Sequence, residues 1–150
     1  MEVRRITKPV TDETIHKMTD LMMEQMSQLS HPISFDSLKQ TITEACNDYS
    51  QAEFFIAQEG EEIVGCAFLN KGISLDKGGS YIWLNDLYVK LDYRQQGIAK
   101  KILLKVLYWA EQEQFKGIEL ETGINNEATK RLYNALGFYD IISKRYGRQL

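Results

Sequence analysis

Proline, cysteine and histidine are scarce in this chain, and neither one charge sign nor a long apolar run dominates it. The two prolines, Pro9 and Pro32, stand between patterned segments, so nothing reads as a proline-rich linker or spacer. Cys46 and Cys66 are the only cysteines. They are too few for a disulfide framework and fall in segments that read as a helix and a strand, where reduced thiols act as small core residues. His16 and His31 are isolated from each other and from the motifs below, and no metal site is expected. The formal net charge of −3 provides no broad basic field for nucleic acid or an anionic membrane; so mild an acidic excess decides little about the substrate. No apolar run approaches the ~20 residues that cross a bilayer, and the stretch from Met1 to Arg5 lacks the apolar core of a secretory signal. The expected location is the cytoplasm. What is present is ordinary: 150 residues, 43% apolar and 26% charged, enough for one domain, 1–150, with one substantial core.

Periodicity divides the chain into elements. Residues 2–7 read as a short strand. Thr11 or Asp12 caps a helix in which Ile15, Met18, Met22, Met26 and Leu29 recur at steps of three and four on one face. His31-Pro32 ends it. Ser34 caps a second helix, with Phe35, Leu38, Ile42, Ala45 or Cys46, and Tyr49 turned inward. Strands follow at Glu53–Glu59 and Glu62–Lys71 around the Gly60 turn, then a loop over 72–80 and a long strand at Tyr81–Lys90. A strong helix runs from Gly97 to about Gln114, burying Ile98, Ile102, Leu103, Val106, Leu107 and Ala110. A short strand at Gly117–Thr122 precedes a helix capped by Asn125 or Asn126, which carries Ala128, Leu132, Ala135 and Leu136 and ends at Gly137. Phe138–Ser143 is a further expected strand. The order β-α-α-β-β-β-α-β-α-β is that of an α/β domain around a mixed sheet.

The most informative segment is the passage from Val89 through Arg94-Gln95-Gln96-Gly97-Ile98-Ala99-Lys100. A strand ends, a short loop turns, and a long amphipathic helix begins at a glycine. The first turn of such a helix presents unpaired N–H groups and the positive end of the helix dipole, a site suited to phosphate. Gly97 lets an oxygen approach the backbone, Ala99 keeps the next step small, and Arg94 offers a charged fork. A dinucleotide site is a poorer match, because only Gly97 of its three spaced glycines is present. The Gly-Lys-Ser/Thr ending of a P-loop is absent.

This turn resembles the GNAT superfamily of N-acetyltransferases, whose signature R/Q-x-x-G-x-G/A is matched by Arg94-Gln95-Gln96-Gly97-Ile98-Ala99. Two flanking stretches strengthen the resemblance: Leu87-Tyr88-Val89 ahead of it, similar to the family's fourth strand, and Asn126 to Phe138, similar to its N-x-x-A/T-x-x-L-Y-x-x-x-G-F stretch. The three cover roughly residues 80–140. The resemblance implies a GNAT-like, mostly antiparallel mixed sheet with helices on both faces and splayed strands four and five. It implies acetyl-CoA as cofactor, with the pantetheine arm held by backbone groups of Leu87 and Val89. The pyrophosphate would lie on the amides from Gln95 to Lys100, beside Arg94, and Asn126 and Tyr133 would face the thioester end. The motif ends in Ala99 instead of glycine, as in many relatives, and with only residues 139–150 after Phe138 the seventh strand of such a fold is short, missing or built from Lys144–Leu150.

The chemistry so implied is acetyl transfer to a primary amine. An alkylammonium must lose a proton from a pKa near 10 before it attacks, so a carboxylate or an ordered water must accept it. Strict period two puts Leu84, Asp86 and Tyr88 on one face of their strand and Asn85, Leu87 and Val89 on the other. Asp86, a carboxylate in an apolar strand, is the candidate for acceptor binding or proton removal; Glu119 or Glu121 on the next strand is an alternative lining residue. Tyr133 matches the family's general-acid tyrosine. Residues Ile82–Arg94 also resemble the diamine and polyamine acetyltransferases, with Asp86 as the matching acid and Asn85 in place of a second one. A small-molecule amine acceptor is expected, of polyamine, aminoglycoside or amino-acid-like type. A peptide or protein acceptor, and a non-catalytic acyl-CoA sensor, stay open as alternatives. No nucleic-acid or membrane partner is expected, and a homodimer is admitted.

Overall fold

The computed structural model describes residues 1–29, 31–123 and 125–150. Five strands, β1 (Glu2–Arg5), β2 (Ala52–Glu59), β3 (Glu62–Ser74), β4 (Gly79–Val89) and β5 (Ile118–Leu120), form one sheet in that spatial order. Neighbours from β1 to β4 are antiparallel; β5 lies parallel to β4. Helices α1 (Asp12–Met26) and α2 (Phe35–Ala45) cover one face, and α3 (Ile98–Gln112) with α4 (Glu127–Ala135) the other. Among the described residues no helix is long and apolar enough to cross a membrane.

Local chemistry sets the helix ends. The hydroxyls of Thr11 and Ser34 and the side-chain carbonyl of Asn126 accept hydrogen bonds from the amides of Thr14 (3.2 Å), Ser37 (3.1 Å) and Thr129 (3.2 Å), each filling an orphan donor of the first turn. The helices then bury the stripes their periodicity prescribes. Ile15, Met18, Met22, Leu38 and Ile42 pack with Phe54, Ile56 and Cys66 on one face; Ile98, Ile102, Leu103 and Val106 pack with Phe55, Ala57, Val64 and Leu69 on the other. At Gly65 a Cβ would meet Ile102 Cδ1 at 2.9 Å and Ile98 Cγ2 at 3.2 Å. The missing side chain therefore sets how closely the start of α3 seats on the sheet.

Several expectations are corrected. Helix α1 stops at Met26, which leaves Leu29 exposed, and α2 stops at Ala45, which leaves Tyr49 exposed. Strands β3 and β4 extend into the expected 72–80 loop and meet in a tighter hairpin. Residues 138–150 form no strand. The Phe138 amide donates to the Tyr133 carbonyl (3.0 Å) and its ring packs edge-on against Tyr133, which turns the chain at the end of α4. β5, three residues long, then offers only a short edge for any further ladder.

Candidate functional site

The sheet opens along β4. β5 pairs with β4 only from Ile82 to Leu84, whereas β4 runs on to Val89. Beyond Leu84 the two strands part, and among the described residues no strand lies beside that edge of β4. At the same point the β3–β4 register shifts: Leu69 faces Leu84 and Phe68 faces Asp86, so Asn85 is an extra residue in β4. The shift overturns strict alternation. Leu84 packs with the α3 core, as do Leu87 and Val89, whereas Tyr88 packs with α1 and α2. Asp86, opposite Phe68, lies on the α1–α2 face. Adjacent residues Asp86 and Leu87 thus point through opposite sides of the sheet.

On the α3–α4 side the gap forms a cleft of about 530 Å³. β4 contributes Leu87 and Val89, and the turn contributes Arg94, Gln95 and Gly97. The first turn of α3 adds Ile98, Ala99 and Lys100, and α4 adds Tyr133. Gly97, at φ 77°, is the residue before the first turn of α3, and no atom lies within 4 Å of where its Cβ would stand. Gln95, with φ 63°, holds a left-handed conformation uncommon for a residue with a side chain. These two bends shape the turn that forms one wall of the cleft. Gln96, Asp86 and Asn126 do not line it; Asn126 caps α4 instead.

Arg94 is folded back on the strand. Its Nε donates to the Val89 carbonyl (2.9 Å), and its guanidinium lies 5.1 Å from the centroid of Tyr88, whose hydroxyl donates to Glu24 on α1 (3.1 Å). Periodicity did not single out Glu62 or Tyr93. The Glu62 carboxylate accepts from Lys90 Nζ and from the Tyr93 hydroxyl, tying both sides of the Leu91–Tyr93 turn to β3; the Lys90 hydrogen bond holds its pKa below the usual carboxylate range. Nothing in sequence signals this pairing. Thr129 also lines the cleft, and its i, i+4 spacing from Tyr133 is the signal that places it there.

Two titratable groups flank the opening. Burial pushes the Asp86 carboxyl above the usual carboxylate range and the Tyr133 phenol above its ordinary value. Among the described residues neither makes a side-chain hydrogen bond, and no cluster of His, Cys, Asp and Glu is arranged for a metal ion. Of the alternative carboxylates, Glu119 accepts from Lys77 (2.9 Å) and Glu121 from Arg145. A free strand edge, amides at a helix start, Arg94 and Lys100 match a ligand that joins an amide-bearing arm to phosphates, and they fit coenzyme A.

The Acetyltransferase (GNAT) family model matches residues 15–138, and the chain belongs to that family. Acetyl-CoA is the acyl donor of GNAT acetyltransferases. The chain is 29% identical over 97 residues to N-acetyltransferase 8B of Mus musculus, a match covering 65% of this chain and 42% of that protein. It thus spans less than half of that relative's length. An aminoglycoside N-acetyltransferase solved in complex with CoA has a TM-score of 0.77 at 19% identity, covering 99% of this chain and 93% of that one. A ribosomal-protein-alanine N-acetyltransferase from Brucella melitensis biovar Abortus 2308 has a TM-score of 0.75 at 18% identity, covering 99% and 100%. At these identities the likeness is one of fold.

Proposed function

We propose that residues 1–150 act as one catalytic domain that transfers the acetyl group of acetyl-CoA to a primary amine of a small molecule. The observation that carries this reading is the cleft that joins the free edge of β4, the left-handed turn at Gly97 and the Tyr133 ring. When bound, acetyl-CoA supplies the acetyl group as a thioester. Backbone groups of Leu87 and Val89 hold its amide-bearing arm in the gap that β5 leaves, with Arg94 giving up the Val89 carbonyl. The amides from Gln95 to Lys100 hold the phosphates, supported by the Arg94 and Lys100 charges, and Asn126 keeps the start of α4 in place over the gap. Asp86, on the opposite face, orients the acceptor ammonium and takes its proton directly or through water; its raised pKa makes it a better base than an ordinary aspartate. Tyr133 stays protonated at neutral pH and donates its hydroxyl proton to the departing sulfur.

The test is Gly97→Glu, which puts a side chain and a negative charge where the phosphates bind. The space around Gly97 is open, but its φ of 77° strains any side chain there, so Gly97→Ala serves as the control for strain: circular dichroism should show both variants folded, while calorimetry shows CoA binding lost in Gly97→Glu and better kept in Gly97→Ala. Thiol release over a panel of polyamines, aminoglycosides, amino acids and peptides then identifies the acceptor. Undiminished CoA affinity in Gly97→Glu overturns the placement of the phosphates.

A further inference from the structure

The face of β4 opposite the cleft carries a feature that acetyl transfer itself does not use. The Asn85 bulge leaves Trp83 and Asp86 on one face, because their β3 partners, Asn70 and Phe68, are two residues apart on the same strand. Two residues of a strand span about 7 Å. Between them Asn70 Nδ2 donates to the Asn85 side chain (2.8 Å). Over the Trp83 ring lies a cation: the Arg145 guanidinium is 5.6 Å from its centroid and donates to the carboxylate of Glu121, just past β5. Arg145 arrives on a segment with neither helix nor strand, and its side chain is mostly exposed. An aromatic face beside a carboxylate attracts any ammonium or guanidinium group, and here the chain's own arginine fills that seat.

We propose that the Trp83–Glu121 seat receives the second cationic group of a diamine or polyamine acceptor, with Arg145 as the internal cation that the acceptor displaces. This rests on the reading of Asp86 as the acceptor-side base, and it narrows the substrate to a primary amine that carries another ammonium about 7 Å away. The two ends of the site differ as the chemistry requires. Asp86 is half-buried, which suits the amine that must lose its proton. The Trp83–Glu121 seat is open to water, which suits the ammonium that keeps its own. A monoamine occupies only the first.

The experiment is calorimetric titration of the full chain with 1,4-diaminobutane, spermidine and n-butylamine, with CoA titrated into the same preparations. The wild type should bind both polyamines more tightly than butylamine. Arg145→Gln, at an exposed position, removes the competing cation and should tighten polyamine binding roughly 3- to 30-fold, the range of a cation–π contact, with butylamine and CoA unchanged. Trp83→Leu and Glu121→Gln should each reduce the polyamine preference. Equal affinity for diaminobutane and butylamine in both wild type and Arg145→Gln, with CoA still bound, overturns the proposal alone. A polyamine preference without CoA binding supports the cation seat and overturns the acetyl-donor reading instead.

Discussion

Glu53→Gln removes one charge and almost no volume near the start of β2, where the residue is 4% exposed. Glu53 Oε1 accepts from Arg5 Nη2 (2.9 Å) and Lys71 Nζ (2.9 Å), and Oε2 accepts from Arg5 Nε (3.0 Å). One buried group thereby joins β1, β2 and β3, and Arg5 also stacks 5.0 Å from the Trp109 ring of α3. Each charge-assisted bond is worth about 1.5–3 kcal/mol. Burying a carboxylate costs several kcal/mol, however, and glutamine does not incur that cost. Arg5 and Lys71 also keep partial access to water. The net loss at neutral pH is then about 1–3 kcal/mol, or roughly 3–10 °C in Tm for a chain of this length. The pH dependence gives the sharper check. Burial alone raises the Glu53 carboxyl, but the hydrogen bonds from Arg5 and Lys71 outweigh it and hold the pKa below its ordinary value. A pKa depressed by folding contributes stability above the unfolded value of about 4.3, lost as pH falls through the folded value. In urea titrations followed by circular dichroism, the gap between wild type and variant should be flat from about pH 8 to pH 5 and shrink below that. A gap that persists undiminished to about pH 3 would refute the assignment of that stability to an ionised Glu53.

Tyr133→Phe keeps the ring that packs on Phe138 and removes the hydroxyl. It should bind CoA as the wild type does and lose about 10²–10⁴ in kcat; wild-type kcat, measured where chemistry limits the rate, would leave Tyr133 a packing residue. Gly65→Val should drive Ile98 and Ile102 off β3 and lift the start of α3. The expected cost is about 1–3 kcal/mol of stability in a thermal melt, together with weaker CoA binding by calorimetry. Unaltered CoA affinity at lowered stability would show that the phosphate turn does not depend on how α3 is seated.

Much of the fold was legible in the sequence because it is governed by near neighbours. Caps at Thr11, Ser34 and Asn126 act over three residues, the α3 stripe from Ile98 to Ala110 repeats every turn, and the turn into Gly97 is a local change from strand to helix. The cleft's wall from Arg94 to Lys100 was legible for the same reason. Other features required the whole chain. Phe138–Ser143 is rich in the aromatic and branched residues of strands, but a strand needs an edge to pair with, and the short β5 provides little. The side on which Asp86 lies relative to Leu84 depends on where β3 pairs with β4, so the Asn85 bulge cannot be read from β4 alone. Glu62 meets Lys90 and Tyr93, and Arg145 meets Trp83 and Glu121, across tens of residues of chain. Such contacts have no period and no motif. They exist only once the sheet register and the crossover through α3 have brought distant segments together, which is why tertiary structure decides the acceptor face while local sequence decides the donor turn.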